Sequence, residues 1–123
     1  MEIAFQIENE VAILRLRGRF ASGCDTEYVR AREGLKESGK RKVMVDCTAV
    51  PYFDSTALNF LIGLYTTVTN AGGKFALCGL NARMSEVLRI THLDRIIPIY
   101  DARESALLAL MRPEERYENA EQG

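Results

Sequence analysis

The sequence predicts a single α/β domain on a mixed sheet of about five strands, with an N-terminal hairpin and about four helices. Three observations lead there. The chain opens on two short segments of alternating apolar and polar residues. Beyond them, short apolar runs alternate with amphipathic stretches of helical period, an order that calls for parallel strands joined by crossover helices. With 123 residues, 47% of them hydrophobic and 27% charged, the chain suits one domain with a real core.

In the opening segments Ile3, Phe5 and Ile7 alternate with Glu2, Ala4, Gln6 and Glu8, and Leu14 and Leu16 alternate with Arg15 and Arg17. A tight turn at Asn9-Glu10 sets Phe5 opposite Leu14, Ile3 opposite Leu16 and Glu2 opposite Arg17. Arg15, Arg17 and Arg19 read as the solvated outer face of the hairpin, with an anion site as the alternative. Gly18 and Gly23 bracket the turn into a first helix over 24–38, where Cys24, Tyr28, Ala31 and Leu35 recur at helical spacing. Gly39 suits its left-handed cap. The basic triplet Lys40-Arg41-Lys42 reads as a solvated connection.

Val43–Cys47 forms the third strand. A second helix over 55–71 buries Leu58, Leu61, Ile62, Tyr65 and Val68 and stops at Gly72-Gly73. Phe75–Cys78 is the fourth strand, followed by a third helix with Met84, Val87 and Leu88. Ile96–Tyr100 is the fifth strand, and Pro98 places it at a sheet edge because proline donates nothing to the ladder. Asp101 is expected to cap a last helix carrying Ala106, Leu107, Leu110 and Met111. The domain is expected to cover 1–111, with 112–123 a polar, disordered tail.

Composition narrows the function. A formal net charge of -1 gives no steering toward nucleic acid or an anionic membrane. No apolar run approaches the roughly 20 residues of a membrane span, and the N-terminus lacks the layout of a secretory signal. A cytoplasmic location is the expectation. Cys24, Cys47 and Cys78 lack metal-ligand spacing and read as small buried residues, and His92 reads as a surface or capping residue. No cofactor and no metal are expected. Ser55 sits in no nucleophile elbow, and no phosphate-binding glycine loop is present, so an enzyme is not expected.

The informative stretch is Asp46-Cys47-Thr48-Ala49-Val50-Pro51-Tyr52-Phe53-Asp54-Ser55-Thr56-Ala57-Leu58. It places two hydroxyls and a carboxylate at a helix start, at the carboxyl end of a sheet strand. A helix N-terminus carries unpaired N–H groups and partial positive charge, so it can accommodate a phosphate added to Ser55. The same three residues also make an ordinary helix cap, with Asp54 accepting from Thr56 or Ala57. A phosphorylated-aspartate receiver, with Asp46 or Asp54 as acceptor, would need further carboxylates after the first strand, where Arg17-Gly18-Arg19 stands instead.

Together with the hairpin and Gly72-Gly73-Lys74 before the next strand, this segment resembles the STAS domain, and more closely the bacterial anti-anti-sigma factors, or anti-sigma factor antagonists. The resemblance implies that Ser55, directly after Asp54, accepts phosphate from a partner anti-sigma factor carrying a GHKL-type serine kinase, with Thr56 in reserve. A serine phosphatase would reset it. It also implies a partner-binding set of Asp54, Ser55, Thr56, Ala57 and Asn59. Thr56, Ala57 and Asn59 stand where the family usually has serine, glycine and glycine. The unmodified form would bind the kinase and release a sigma factor. Other STAS domains serve lipid-trafficking ABC transporters or stress-signalling scaffolds, and that role is the alternative.

Overall fold

The structure, a computed structural model, describes residues 2–19 and 23–112. The hairpin forms as the alternation requires: β1 (Glu2–Glu8) pairs antiparallel with β2 (Val11–Arg17), with Phe5 opposite Leu14, Ile3 opposite Leu16 and Glu2 opposite Arg17. Asn9 and Glu10 both have positive φ, 52° and 67°, the backbone of a two-residue turn whose twist matches that of the strands. Helix α1 (Asp25–Ser38) starts one residue later than expected, with Cys24 at its N-cap, and ends on Gly39 in the left-handed region.

Strand β3 (Lys42–Ala49), helix α2 (Ser55–Asn70), strand β4 (Lys74–Cys78), helix α3 (Ala82–Ile90), strand β5 (Ile99–Tyr100) and helix α4 (Arg103–Met111) follow. The sheet order is β1-β2-β3-β4-β5, antiparallel only at the hairpin, so β5 lies at an edge as Pro98 suggested. Helices α1, α2 and α3 contribute to the larger core cluster, which includes Leu14, Val45, Leu61, Leu64, Leu77 and Leu88. Val11, Ile13, Met44, Ala76 and Cys78 face the other way and are covered by Ala106 and Leu110 of α4. That cover explains why the strict alternation of β2 fails at its start. Val11 and Ile13 lie under α4, whereas Arg15 and Arg17 on the same face are exposed. Arg103 pins α4 across the sheet through a 2.8 Å ion pair with Glu8.

Three details depart from expectation. The fifth strand is only two residues long, because Leu93–Arg95 forms a 3₁₀ turn and the carbonyl of Leu93 accepts from both Ile96 N and Ile97 N. Ile97 is still buried, held by a curled backbone rather than an extended one. Asp101 does not cap α4; the N-cap is Ala102, with no side-chain cap bond. In α2 the fully packed line is Ala57, Phe60, Leu61, Leu64 and Val68, while Leu58, Ile62 and Tyr65 are half-buried. This helix is apolar over most of its circumference, and Tyr28 of α1 stacks on Phe60 with ring centroids 4.4 Å apart. That contact draws Phe60 inward. The expected polar tail lies outside the described residues, apart from Arg112.

Cys47 and Cys78 are buried free thiols, and Cys24 is half-buried. Burial chiefly pushes Cys47 and Cys78 above the ordinary thiol value of 9.0, with Asp46 adding to both, and Cys78 reaches about 12. A thiol raised on folding stabilises fully below its unfolded pKa, and that contribution is lost as pH climbs through its folded value. Stability should therefore fall from about pH 9 toward pH 12, by about 1 kcal/mol per thiol at one pH unit above the unfolded value. Urea unfolding at pH 8 and pH 10 should show a smaller alkaline loss in the Cys47→Ala/Cys78→Ala double variant than in the parent. Equal losses would remove the thiols as the cause.

Candidate functional site

The carboxyl ends of the parallel strands β2, β3 and β4 converge on one rim, and the segment 50–54 crosses it. Near this rim β3 is irregular: Arg15 pairs with Asp46 but Arg17 pairs with Ala49, so β3 carries an extra residue there. Asp46, 7% exposed, braces the bulge, its Oδ1 accepting from the Thr48 amide at 3.0 Å and the Thr48 hydroxyl at 2.6 Å. Asp46 is thus engaged in holding the strand end, which leaves a receiver-type acceptor role without support.

Beyond the bulge the loop is tied down from several sides. Gly18 N donates to Ala49 O at 3.0 Å, and Val50 N donates to Cys47 O at 3.0 Å. Val50 and Phe53 bury their side chains in the core, so the loop is plugged from beneath. Asn81 joins it to the next helix: its Nδ2 donates to Pro51 O at 3.0 Å, while its Oδ1 accepts from Met84 N at 2.9 Å and caps α3. Gly79, with φ of 76°, lies so close to Thr48 that a side chain there would overlap the Thr48 hydroxyl. Asn81→Ala removes both a cap and a loop tie. It should cost about 1–2 kcal/mol, read as a lowered urea midpoint, because a lost cap alone costs roughly 0.5–2 kcal/mol.

On this support Asp54 adopts an extended backbone and caps α2, its Oδ1 accepting from Ala57 N at 3.1 Å. Helix α2 begins at Ser55, as the sequence predicts. Ser55 is exposed at the first helical position, and Asp54 supplies the cap, so the Ser55 hydroxyl is not required for it. Asn59, four residues on, is exposed near Ser55 on the helix surface, while Asp54 and Thr56 are half-buried. Ala57 corrects the expected contact set. It is fully buried, because its methyl lies in the packed line of α2 and cannot face a partner. Asn59, by contrast, is exposed on the outer surface of α2.

Two aromatic residues frame the rim. Burial is the main cause that raises the Tyr28 hydroxyl well above its ordinary value, with Cys24 and then Asp54 adding to it. Tyr52 is 38% exposed, and the Arg19 guanidinium carbon lies 5.4 Å from its ring centroid. The sequence reading passed over Tyr52 and placed Arg19 with Arg15 and Arg17 on a solvated hairpin face, an anion site being the alternative. An exposed aromatic three residues before a helix start was the available signal. Among the described residues no group of His, Cys, Asp and Glu could hold a metal ion. None of their helices is long and apolar enough to cross a membrane.

The sheet order, the N-terminal hairpin and this helix start define a class. The chain belongs to the STAS domain family, whose profile matches residues 2–106. Among curated relatives, a Thermotoga neapolitana protein named as an anti-sigma factor antagonist is 39% identical over 69 residues, which cover 56% of this chain and 61% of the relative. The match thus spans less than two thirds of that protein's length. The anti-sigma F factor antagonist of Paenibacillus polymyxa is 25% identical over 111 residues, 89% of this chain and 95% of its own. A crystal structure from Thermotoga maritima, described as an anti-sigma factor antagonist, superposes with a TM-score of 0.84 at 25% identity, covering 89% of this chain and 95% of that one.

Proposed function

We propose that this protein is an anti-sigma factor antagonist, a partner switch controlled by phosphorylation of Ser55. The observation that carries the reading is Ser55 itself, exposed at the first position of α2 while Asp54 provides the helix cap. The names of the relatives support the general role. In the unmodified state the rim of Tyr52, Asp54, Ser55, Thr56 and Asn59 docks onto an anti-sigma factor with a GHKL-type serine kinase domain, and a sigma factor is released. The kinase then moves the γ-phosphoryl group of ATP to Ser55. The bond from phosphorus to the Ser55 Oγ forms as the bond to ADP breaks, and the hydroxyl proton leaves to a base on the kinase. A serine phosphatase restores the hydroxyl by hydrolysis. The switch operates in the cytoplasm and involves no nucleic acid contact or membrane insertion by this chain.

Incubation with the cognate kinase and ATP, followed by peptide mass spectrometry, tests the assignment. One phosphate on Ser55 is expected, with Thr56 as the reserve acceptor. Phosphate confined to another segment, such as Ser85 on α3, would overturn it.

A further inference from the structure

We infer that Arg19 is a built-in reader of the state of Ser55: it rests on the Tyr52 ring while Ser55 is unmodified and moves to the phosphate once Ser55 carries one. The inference rests on the reading of Ser55 as phosphoacceptor. The backbone of Arg19 is held near the rim. Gly18, in the left-handed region, donates to Ala49 O at 3.0 Å, and the Cys24 thiol donates to Arg19 O at 3.9 Å. Its side chain is held far less firmly. The guanidinium carbon stands 5.4 Å over the ring of Tyr52, and among the described residues no carboxylate pairs with it.

A cation over an exposed ring is a weak contact, whereas guanidinium and phosphate form a charge-assisted, two-pronged pair. Phosphoserine brings a charge of about -1.5 to -2 at neutral pH. Ser55 lies three residues from Tyr52, so their Cα atoms are at most about 11 Å apart along the chain, a span that an arginine and a phosphoserine side chain can bridge together. The Asp54 carboxylate, which accepts from Ala57 N, carries a single charge, whereas phosphoserine carries up to two and offers more acceptor oxygens to the guanidinium. One covalent change would then alter three adjacent surface groups. Position 55 becomes an anion, Arg19 is neutralised, and the face of Tyr52 is uncovered.

The experiment installs phosphoserine at position 55 during synthesis by stop-codon suppression, so it needs no kinase and does not depend on whether Ser55 is the natural acceptor. The ³¹P titration midpoint of that phosphate is compared between the otherwise unaltered chain and its Arg19→Gln variant. The helix N-terminus and Asp54 act equally in both, so the difference isolates Arg19. The Arg19→Gln form should titrate about half a pH unit higher. In parallel, NMR signals of the Tyr52 ring should move on phosphorylation toward their positions in unphosphorylated Arg19→Gln, because both changes remove the cation from the ring. Coincident titrations, or Tyr52 signals that phosphorylation leaves in place, would overturn the inference. An unchanged thermal midpoint for Arg19→Gln, expected at an exposed position, verifies that the fold is intact. Failure of the kinase to label Ser55 would instead count against the proposed function.

Discussion

Phosphate on Ser55 should weaken binding to the anti-sigma factor by about a thousandfold, a loss of roughly 4 kcal/mol. The added charge falls beside Asp54, inside the proposed contact rim; even paired with Arg19 the phosphate keeps net negative charge, which an interface formed around a neutral hydroxyl must desolvate. The helix dipole offsets only part of this, about 0.3–1 kcal/mol, and does so in the free protein, which further favours dissociation. Ser55→Ala should bind like the unmodified form and act as permanently active. Ser55→Asp should fall between them, because one carboxylate carries less charge than a phosphate. Since Asp54 makes the cap, both variants should stay within about 1 kcal/mol of the parent in stability. Isothermal titration against the cognate anti-sigma factor, set beside thermal unfolding, reads both quantities. Equal affinities for the Ala, Asp and phosphorylated forms would mean that charge at position 55 does not control binding.

The second large effect is structural. Gly79→Ala should destabilise the domain by on the order of 3 kcal/mol, the sum of a positive-φ penalty and a steric overlap. The φ of 76° disfavours any L side chain, and the new methyl would meet the hydroxyl of Thr48. Thr48 cannot yield freely, because its hydroxyl and amide are both bonded to Asp46. The control is Gly63, in the middle of α2 with open space where a side chain would go. Gly63→Ala should be neutral or stabilise by up to about 1 kcal/mol. Urea unfolding of the two variants should separate them clearly, and similar midpoints would show that the strand ends are less tightly coupled than their geometry implies.

Local chemistry made much of this fold legible in advance. The hairpin register followed from the position of the Asn9-Glu10 turn, since a slip of one residue would have turned Ile3 and Phe5 away from the face that carries Leu14 and Leu16. The start of α2 was legible because Asp54 is a strong cap immediately ahead of an apolar helix. What stayed hidden depended on neighbours distant in sequence. In α2 the full burial of Phe60 goes with its stacking partner Tyr28 from another helix. The shortness of β5 was decided by a carbonyl of Leu93 that two later amides share. At the site, the burial of Ala57 follows from helix rotation against the sheet. The brace by Asp46 follows from a bulge that appears only once β2 and β3 pair. The Arg19–Tyr52 contact joins loops more than thirty residues apart, and no local pattern announces it.

The strand register also makes the two ends of the described chain unequal as points of attachment. Glu2 pairs with Arg17, and Arg17 with Ala49, so β1 begins beside the rim that carries Ser55. Helix α4 finishes at the opposite rim, where Lys74, the first residue of β4, donates to the carbonyl of Arg112. The five residues of β4 separate those rims by about 16 Å. A fluorescent reporter or affinity handle joined after Arg112 would hang from the far side and leave the proposed docking rim open. The same cargo joined ahead of Glu2 would emerge next to it, shadowing the surface whose occupancy it was meant to report.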